Sequence, residues 1–328
     1  MPHSRRRRLI AYSAIGLFVL IDAVLVTSAL TSTSVDAAVD ASSTPAATAS
    51  VFPTPSATPS PALAATPTPT FAPAVSPVPA SRLLSAVSTT AAWRATTGAC
   101  PATAASPELS TDSGATWVTS NATAPTGVTA LQNIFAQSES VAEFVGLADE
   151  DCAPRFVKTF VGGENYSSYP DELDVAWYID PADRATVHGP DGLATAPCDA
   201  VVTIAPSLGD AGSAAVLCAD GRLFATTDAA ATWSPPVTVA GMLTLTATST
   251  GYLAVATTTS ATTPADCIGV DLVVLTADLA PTVTGCYPPE QTPAALAGNV
   301  AVAAADDTVW LWIGDATLRS TDAGRTWL

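Results

Sequence analysis

One stretch of the chain gathers side chains that could do chemistry together. It runs from Tyr169 to Gly192 and contains Trp177, Tyr178, Asp180, Asp183, His188 and Asp191. The two aromatics offer ring faces and the three aspartates offer carboxylates. His188 is the sole histidine outside the N-terminal tail. Clustered aromatics and carboxylates beside an imidazole are the kind of lining that orients a ligand in a loop-built pocket. The same letters also fit a capping strand over residues 174–179, with Trp177 as packing and an acidic turn behind it. The residues alone leave both readings open. The aspartates lack the spacing of an EF-hand or RTX calcium loop, and no CxxC pair accompanies the histidine. No metal and no cofactor is expected.

The elements that must position this stretch are strands. From Arg82 onward, short Val/Leu/Ala/Thr runs (200–205, 252–256, 271–275, 308–313) alternate with Gly, Pro and Asp, and no long stretch holds a 3.6-residue period. An octet recurs as Ser110-Thr-Asp112-Ser-Gly114-Ala-Thr116-Trp117, as Thr226-Thr-Asp228-Ala-Ala-Ala-Thr232-Trp233 and as Ser320-Thr-Asp322-Ala-Gly324-Arg-Thr326-Trp327. Two degenerate copies fill the gaps. Thr276-Ala-Asp278-Leu-Ala-Pro-Thr282-Val283 loses Gly and Trp, and Thr159-Phe-Val161-Gly-Gly163-Glu-Asn-Tyr166 loses the Asp. The third positions are 112, 161, 228, 278 and 322, spaced by 49, 67, 50 and 44 residues. Periods near 45–50 residues belong to four-stranded propeller blades. The expected fold is therefore an all-β propeller of about five four-stranded blades. The octet suits a hairpin: its Asp and hydroxyl oxygens can accept the turn's own N–H groups, and Gly takes the φ > 0 position. The 67-residue interval is the outlier and holds an insertion of about 20 residues, which is the candidate stretch above.

The pattern Ser-x-Asp-x-Gly-x-Thr-Trp resembles the Asp-box, or bacterial neuraminidase repeat, found in sialidases, photosystem II assembly factors and many exported propellers of unknown role, and the chain is expected to be of the non-catalytic kind. The resemblance spans residues 83–328. It implies a structural role for Ser110, Asp112, Gly114, Thr116, Trp117, Asp228, Thr232, Trp233, Asp278, Thr282, Ser320, Asp322, Gly324, Thr326 and Trp327, on the face away from any ligand. It also sets what a sialidase would need: an arginine cluster, a Tyr/Glu nucleophile pair and an acidic proton donor. Pro154-Arg155-Phe156 does not reproduce the family's arginine motif, and Arg319 and Arg325 flank or belong to an octet. No Asp/Glu pair is singled out by spacing, and no GxSxG motif occurs. The sequence weighs against an enzyme.

All six cysteines fall in the globular part, at positions 100, 152, 198, 218, 267 and 286. In an exported domain an even count implies disulfides, with fifteen connectivities formally open. The repeat register puts Cys100, Cys152, Cys218 and Cys267 in turns between second and third strands, and Cys198 and Cys286 between blades. All six then rim the face opposite the octets. Cys198–Cys218 and Cys267–Cys286 close loops of 20 and 19 residues, which leaves Cys100–Cys152.

The rest of the chain says where this domain sits. Residues 1–8 carry four arginines, and residues 9–30 are apolar apart from Asp22, long enough for the roughly 20 residues a spanning helix needs. Arginines before the span and none for about 50 residues after it put the N-terminus in the cytoplasm. A cleaved signal peptide, leaving a secreted protein, is the alternative. Residues 31–82 are Pro, Thr, Ser and Ala, a disordered polyproline-like stalk. The formal net charge of −17 repels nucleic-acid phosphates. Together these features describe a membrane-tethered extracellular module that contacts protein or glycan through its disulfide-rimmed face. A sialidase-like or cell-wall glycoside hydrolase and a purely structural surface spacer are the alternatives.

Overall fold

The computed structural model describes residues 75–258 and 268–328. The apolar span at 9–30, the stalk up to residue 74 and Cys267 lie outside them. Among the described residues no helix is long and apolar enough to cross a membrane.

Twenty-two strands form six antiparallel sheets among the described residues, so the ring has six blades and not five. Blade one holds β1 (Arg82–Ala86), β2 (Ala92–Thr96), β3 (Glu108–Ser110) and β4 (Val118–Thr119), and blade two holds β5 (Val128–Ala136), β6 (Ala142–Ala148), β7 (Pro154–Thr159) and β8 (Ser167–Ser168). Blade three is the short one: β9 (Tyr178–Ile179), β10 (Thr186–Gly189) and β11 (Gly192–Thr195). Blade four comprises β12 (Val201–Pro206), β13 (Ala214–Cys218), β14 (Arg222–Thr226) and β15 (Val237–Thr238). Blade five comprises β16 (Met242–Thr248), β17 (Gly251–Thr257), β18 (Val270–Thr276) and β19 (Pro281–Tyr287). Blade six has β20 (Val300–Ala305), β21 (Thr308–Ile313) and β22 (Ala316–Ser320). Single-turn helices α1 (Thr123–Thr126), α2 (Pro170–Leu173) and α3 (Pro293–Leu296) bridge blades. The innermost strands β1, β5, β9, β12, β16 and β20 pack in cyclic order, with β20 returning onto β1.

The extra blade explains the long repeat interval. What the spacing presented as an insertion is β8, α2 and the whole of blade three. That blade carries no octet, because Gly189 and Gly192 close the β10–β11 hairpin directly. Its direction is also reversed. The Trp177 indole donates to Ala211 O beyond the end of β12 (2.9 Å), whereas Arg184 exchanges bonds with Val201 at the start of β12 (2.8 and 2.9 Å). So β9 runs against β12, and blade three is a blade without its first strand.

Period-two alternation places successive residues of the inner strands on opposite blade faces. Phe144 packs toward blade one and Val145 toward blade three; Met242 packs toward blade four and Leu243 toward blade six. Both faces are buried, so the strands read as continuous apolar runs. The result is one apolar cluster per seam, six in all among the described residues. The seam between blades two and three is the leanest, with Val145, Phe156 and Tyr178 as its buried members.

Blades one and six share no strand, so side chains close the ring. Arg94 pairs with Glu108 (2.6 Å), donates to Thr317 Oγ1 (2.9 Å) and lies over the rings of Trp117 (3.9 Å) and Trp312 (4.7 Å). Trp310 Nε1 reaches Ser88 O (2.9 Å) and packs edge-on to Trp117. After the last octet of blade six, Arg319 and Leu328 exchange both backbone bonds (3.2 and 2.8 Å).

The octets are the turns between third and fourth strands. In the three full copies the carboxylate takes the Thr N–H and hydroxyl four residues on: Asp112 from Thr116 (2.9 and 2.6 Å), Asp228 from Thr232 (2.9 and 2.6 Å), Asp322 from Thr326 (2.9 and 2.8 Å). The 276–283 copy differs. Asp278 is exposed, and Thr282 already pairs with Val274 in β19. The closing aromatics reach the preceding blade. Trp233 donates to Thr195 O (3.1 Å), Trp327 donates to Cys286 O (3.0 Å) and Tyr166 bonds Ser120 (2.5 Å). Gly285 meets Gly324 backbone to backbone, and a Cβ on Gly285 would lie 2.2 Å from Gly324.

The bonds from Thr326 and Ser320 hold the Asp322 carboxyl at a pKa of about 2, below its ordinary 3.8. Asp112 and Asp228 are lowered by the same contacts. The unfolded chain therefore takes up these protons first. The stabilisation is complete above the ordinary value and is lost as pH falls through the folded one. Melts followed by circular dichroism should show Tm rising between about pH 2 and pH 4. Asp322→Asn should flatten that rise, and an unchanged profile would show that the carboxylate does no work in the turn.

Candidate functional site

The inner strands enclose a central cavity of about 460 Å³ lined from all six blades. Three of them are bulged where they enter it: β5 between Thr129 and Asn133, β12 between Val201 and Thr203, β16 between Met242 and Thr244. A bulge re-aims the side chains around it. Gln132, Asn133, Thr203 and Thr244 line the wall there, together with Thr246, Tyr178 and Arg184. Leu131, Ile134, Ile179, Ile204 and Leu245 make the apolar part.

Two polar side chains of the wall serve the fold. Asn133 accepts from Val145 N (2.8 Å) and donates to Trp177 O (3.1 Å), bridging the bulge to blade three. Arg82 sends its guanidinium to Gly314 O and over Trp312 (4.7 Å), into the closing seam. Two others differ. Gln132 Oε1 is buried and accepts no hydrogen bond. Arg184 donates from Nε to Val201 O (2.8 Å) and has no acidic partner among the described residues; burial lowers its pKa.

The mouth opens where the inner strands begin. Thr97 and Gly98, Pro181 and Arg184, and Pro79 to Ser81 line it. The chain thus enters the domain at this mouth. Ser81 donates from N to Gly298 O (2.7 Å), and Val75 packs into the seam of blades five and six. Residues 75–81, assigned to the stalk by composition, lie on the domain surface. The disulfides Cys100–Cys152 and Cys198–Cys218 sit at the same end, opposite the octet turns. Cys286 is also disulfide-bonded, and Cys267, its expected partner, lies outside the described residues.

The six residues singled out by sequence do not converge. Trp177 is buried in the core between blades three and four, and its ring packs against Gly189. Tyr178 and His188 face blade two as a stacked pair, centroids 4.5 Å apart, with His188 Nδ1 on Ala176 O (2.8 Å). Tyr178 also lines the cavity, and its phenol pKa is raised by burial, then by Asp180 and Asp174. Asp180 and Asp183 sit at the mouth, but their carboxylates cap their own turn. Asp180 accepts from Ala182 N (2.8 Å), and Asp183 accepts from Ala185 N (3.0 Å) and Thr186 Oγ1 (3.2 Å). Asp191 is exposed in the β10–β11 turn at the other end. Sequence reasoning missed Gln132, Arg184 and the threonine wall. The available signal was hydroxyls alternating with aliphatics in the first strands of blades four and five, Val202-Thr203-Ile204 and Thr244-Leu245-Thr246.

No family model and no curated protein matches the chain. Solved structures that resemble it include YCF48 from Cyanidioschyzon merolae, at 16% identity over 77% of this chain and 86% of that one, TM-score 0.36. A YCF48 bound to D1 peptide matches at 18% identity over 77% and 82%, TM-score 0.29. The GH74 xyloglucanase from Xanthomonas campestris matches at 13% identity over 76% of this chain and 37% of its own, TM-score 0.30. Likenesses this distant bear on neither partner nor activity. The propeller assignment rests on the strand order above.

Trp177→Ala should cost about 3–5 kcal/mol in urea unfolding, as for other buried tryptophans. Asp191→Asn at its exposed turn should stay within about 0.5 kcal/mol. Equal effects would place Trp177 outside the core.

Proposed function

We propose that the protein is a membrane-tethered extracellular binding or scaffold module whose contact surface is the disulfide-rimmed face. On this reading residues 9–30 anchor the chain, residues 31–74 space the propeller from the membrane, and the octets are Asp-box turns with a structural role. The observation that carries the reading is the cavity mouth. It opens on the face opposite the octets, and its wall combines aliphatic side chains, hydroxyls, amides and two arginines. Such a wall can hold and orient a ligand. Among the described lining residues the ionisable side chains are Arg82, Arg184 and Tyr178.

Photo-crosslinking residues at Thr97 on the mouth and at Ala229 in an octet turn, in the full chain on intact cells, separate the two faces. Adducts to protein or glycan should form from position 97 and not from position 229. Adducts confined to 229 would place the contact surface on the wrong face. Turnover of a sialoside or arabinoside panel by the purified protein would replace the binding reading with a hydrolase.

A further inference from the structure

We propose that the central cavity holds a small monocarboxylate ligand, with the Arg184 guanidinium as its counter-ion. This goes beyond the binding reading above and stands whether or not the outer face docks a partner.

The domain's other cations are paired, stacked or exposed. Arg94 pairs with Glu108, Arg155 with Glu150, Lys158 with Glu143 and Glu172, and Arg222 with Asp220. Arg82 bonds Gly314 O and lies over Trp312, Arg319 bonds Thr89 O and lies over Trp310, and Arg325 is exposed. Arg184 is half-buried on the cavity wall with a single backbone carbonyl as its partner. In a chain of net charge −17, acids are not scarce. Two flank this arginine in its own loop, yet neither pairs with it: Asp180 accepts from Ala182 N, and Asp183 from Ala185 N and Thr186 Oγ1. A guanidinium taken partly out of water without a carboxylate is costly unless an anion joins it. Its planar donor fork matches a carboxylate in two parallel bonds.

The rest of the wall sets the ligand's charge and form. Arg82, the other arginine on the wall, turns its guanidinium to Gly314 O and Trp312, and the single guanidinium left to the cavity fits a monoanion, whereas a phosphate dianion calls for a second. The buried Gln132 Oε1 without a donor fits a ligand that carries a hydroxyl or amide N–H besides its carboxylate. Tyr178, the aromatic side chain on the wall, is buried with its ring stacked on His188 (4.5 Å), so stacking on an open ring face is not what the wall offers. A volume of about 460 Å³ lies in the small-ligand range.

Calorimetry and saturation-transfer NMR on the full chain test this with acetate, glycolate, lactate, N-acetylglycine and glucuronate, their neutral amides, and inorganic phosphate. The hydroxy and N-acyl acids should bind, the amides should not, and Arg184→Gln should weaken binding by about tenfold or more. Arg184→Lys should restore part of it. Gln132→Leu, which removes no bond from the fold, should weaken lactate and leave acetate unchanged, which keeps the test open if the arginine variants misfold. Glucuronate alone would point to a glycan terminus as the source, and lactate or N-acetylglycine to a free acid. Failure of every carboxylate to bind, equal binding to well-folded Arg184→Gln, or tighter binding of phosphate than of any carboxylate would overturn the assignment.

Discussion

One hydrogen bond recurs in all five octets. The first residue's hydroxyl accepts the backbone N–H of the fifth: Ser110 from Gly114 (2.9 Å), Thr159 from Gly163 (3.0 Å), Thr226 from Ala230 (3.1 Å), Thr276 from Ala280 (3.1 Å) and Ser320 from Gly324 (2.8 Å). Four of these hydroxyls are buried, Thr276 being the exception. The bond holds residues in the left-handed region, including non-glycines at Ser113, Ala229, Ala230 and Ala323. Where the turn is complete it throws an aromatic onto the blade before it. The carboxylate bonds strengthen the turn in three copies, but the hydroxyl bond survives where they are lost.

That arrangement makes the octet a clasp between blades, and its cost falls where no clasp exists. Blade three has no octet and no first strand. Its seam with blade two relies on Val145, Phe156, the Tyr178–His188 stack and the Asn133 bridge. The missing strand also reverses β9, which brings the 180–185 loop to the end where the other inner strands begin. Arg184 reaches the cavity mouth for this reason alone. An irregularity in the ring has therefore set an arginine on a wall where a regular blade would have placed a strand start.

Much of this fold was legible in the sequence because the octet is a strong local signal. Ser, Asp, Gly, Thr and Trp at fixed offsets marked third-to-fourth-strand turns, and counting back from them put the cysteines on the opposite end. Cys100–Cys152 and Cys198–Cys218 follow that register. Blade three was illegible because it carries no marker: its hairpin turns on Gly189 and Gly192 with two residues between, and its inner strand is two residues long. The ring closure was hidden too, since it depends on contacts such as Arg94 with Thr317 that are separated by 223 residues. The candidate stretch held the right neighbourhood but the wrong side chains. Trp177 and His188 are drawn into packing by period-two alternation, while Arg184 beside them faces the cavity. Side-chain type alone does not distinguish these fates.

The central claim is a single closed six-bladed ring whose first and last blades are joined by side chains without a shared strand. Residue-resolved native-state hydrogen exchange tests it directly. The account predicts that amides of β1 and β2 exchange through the same global opening as those of β20 and β21, with the same denaturant dependence. A separate, lower-energy opening confined to blade one or blade six would contradict it.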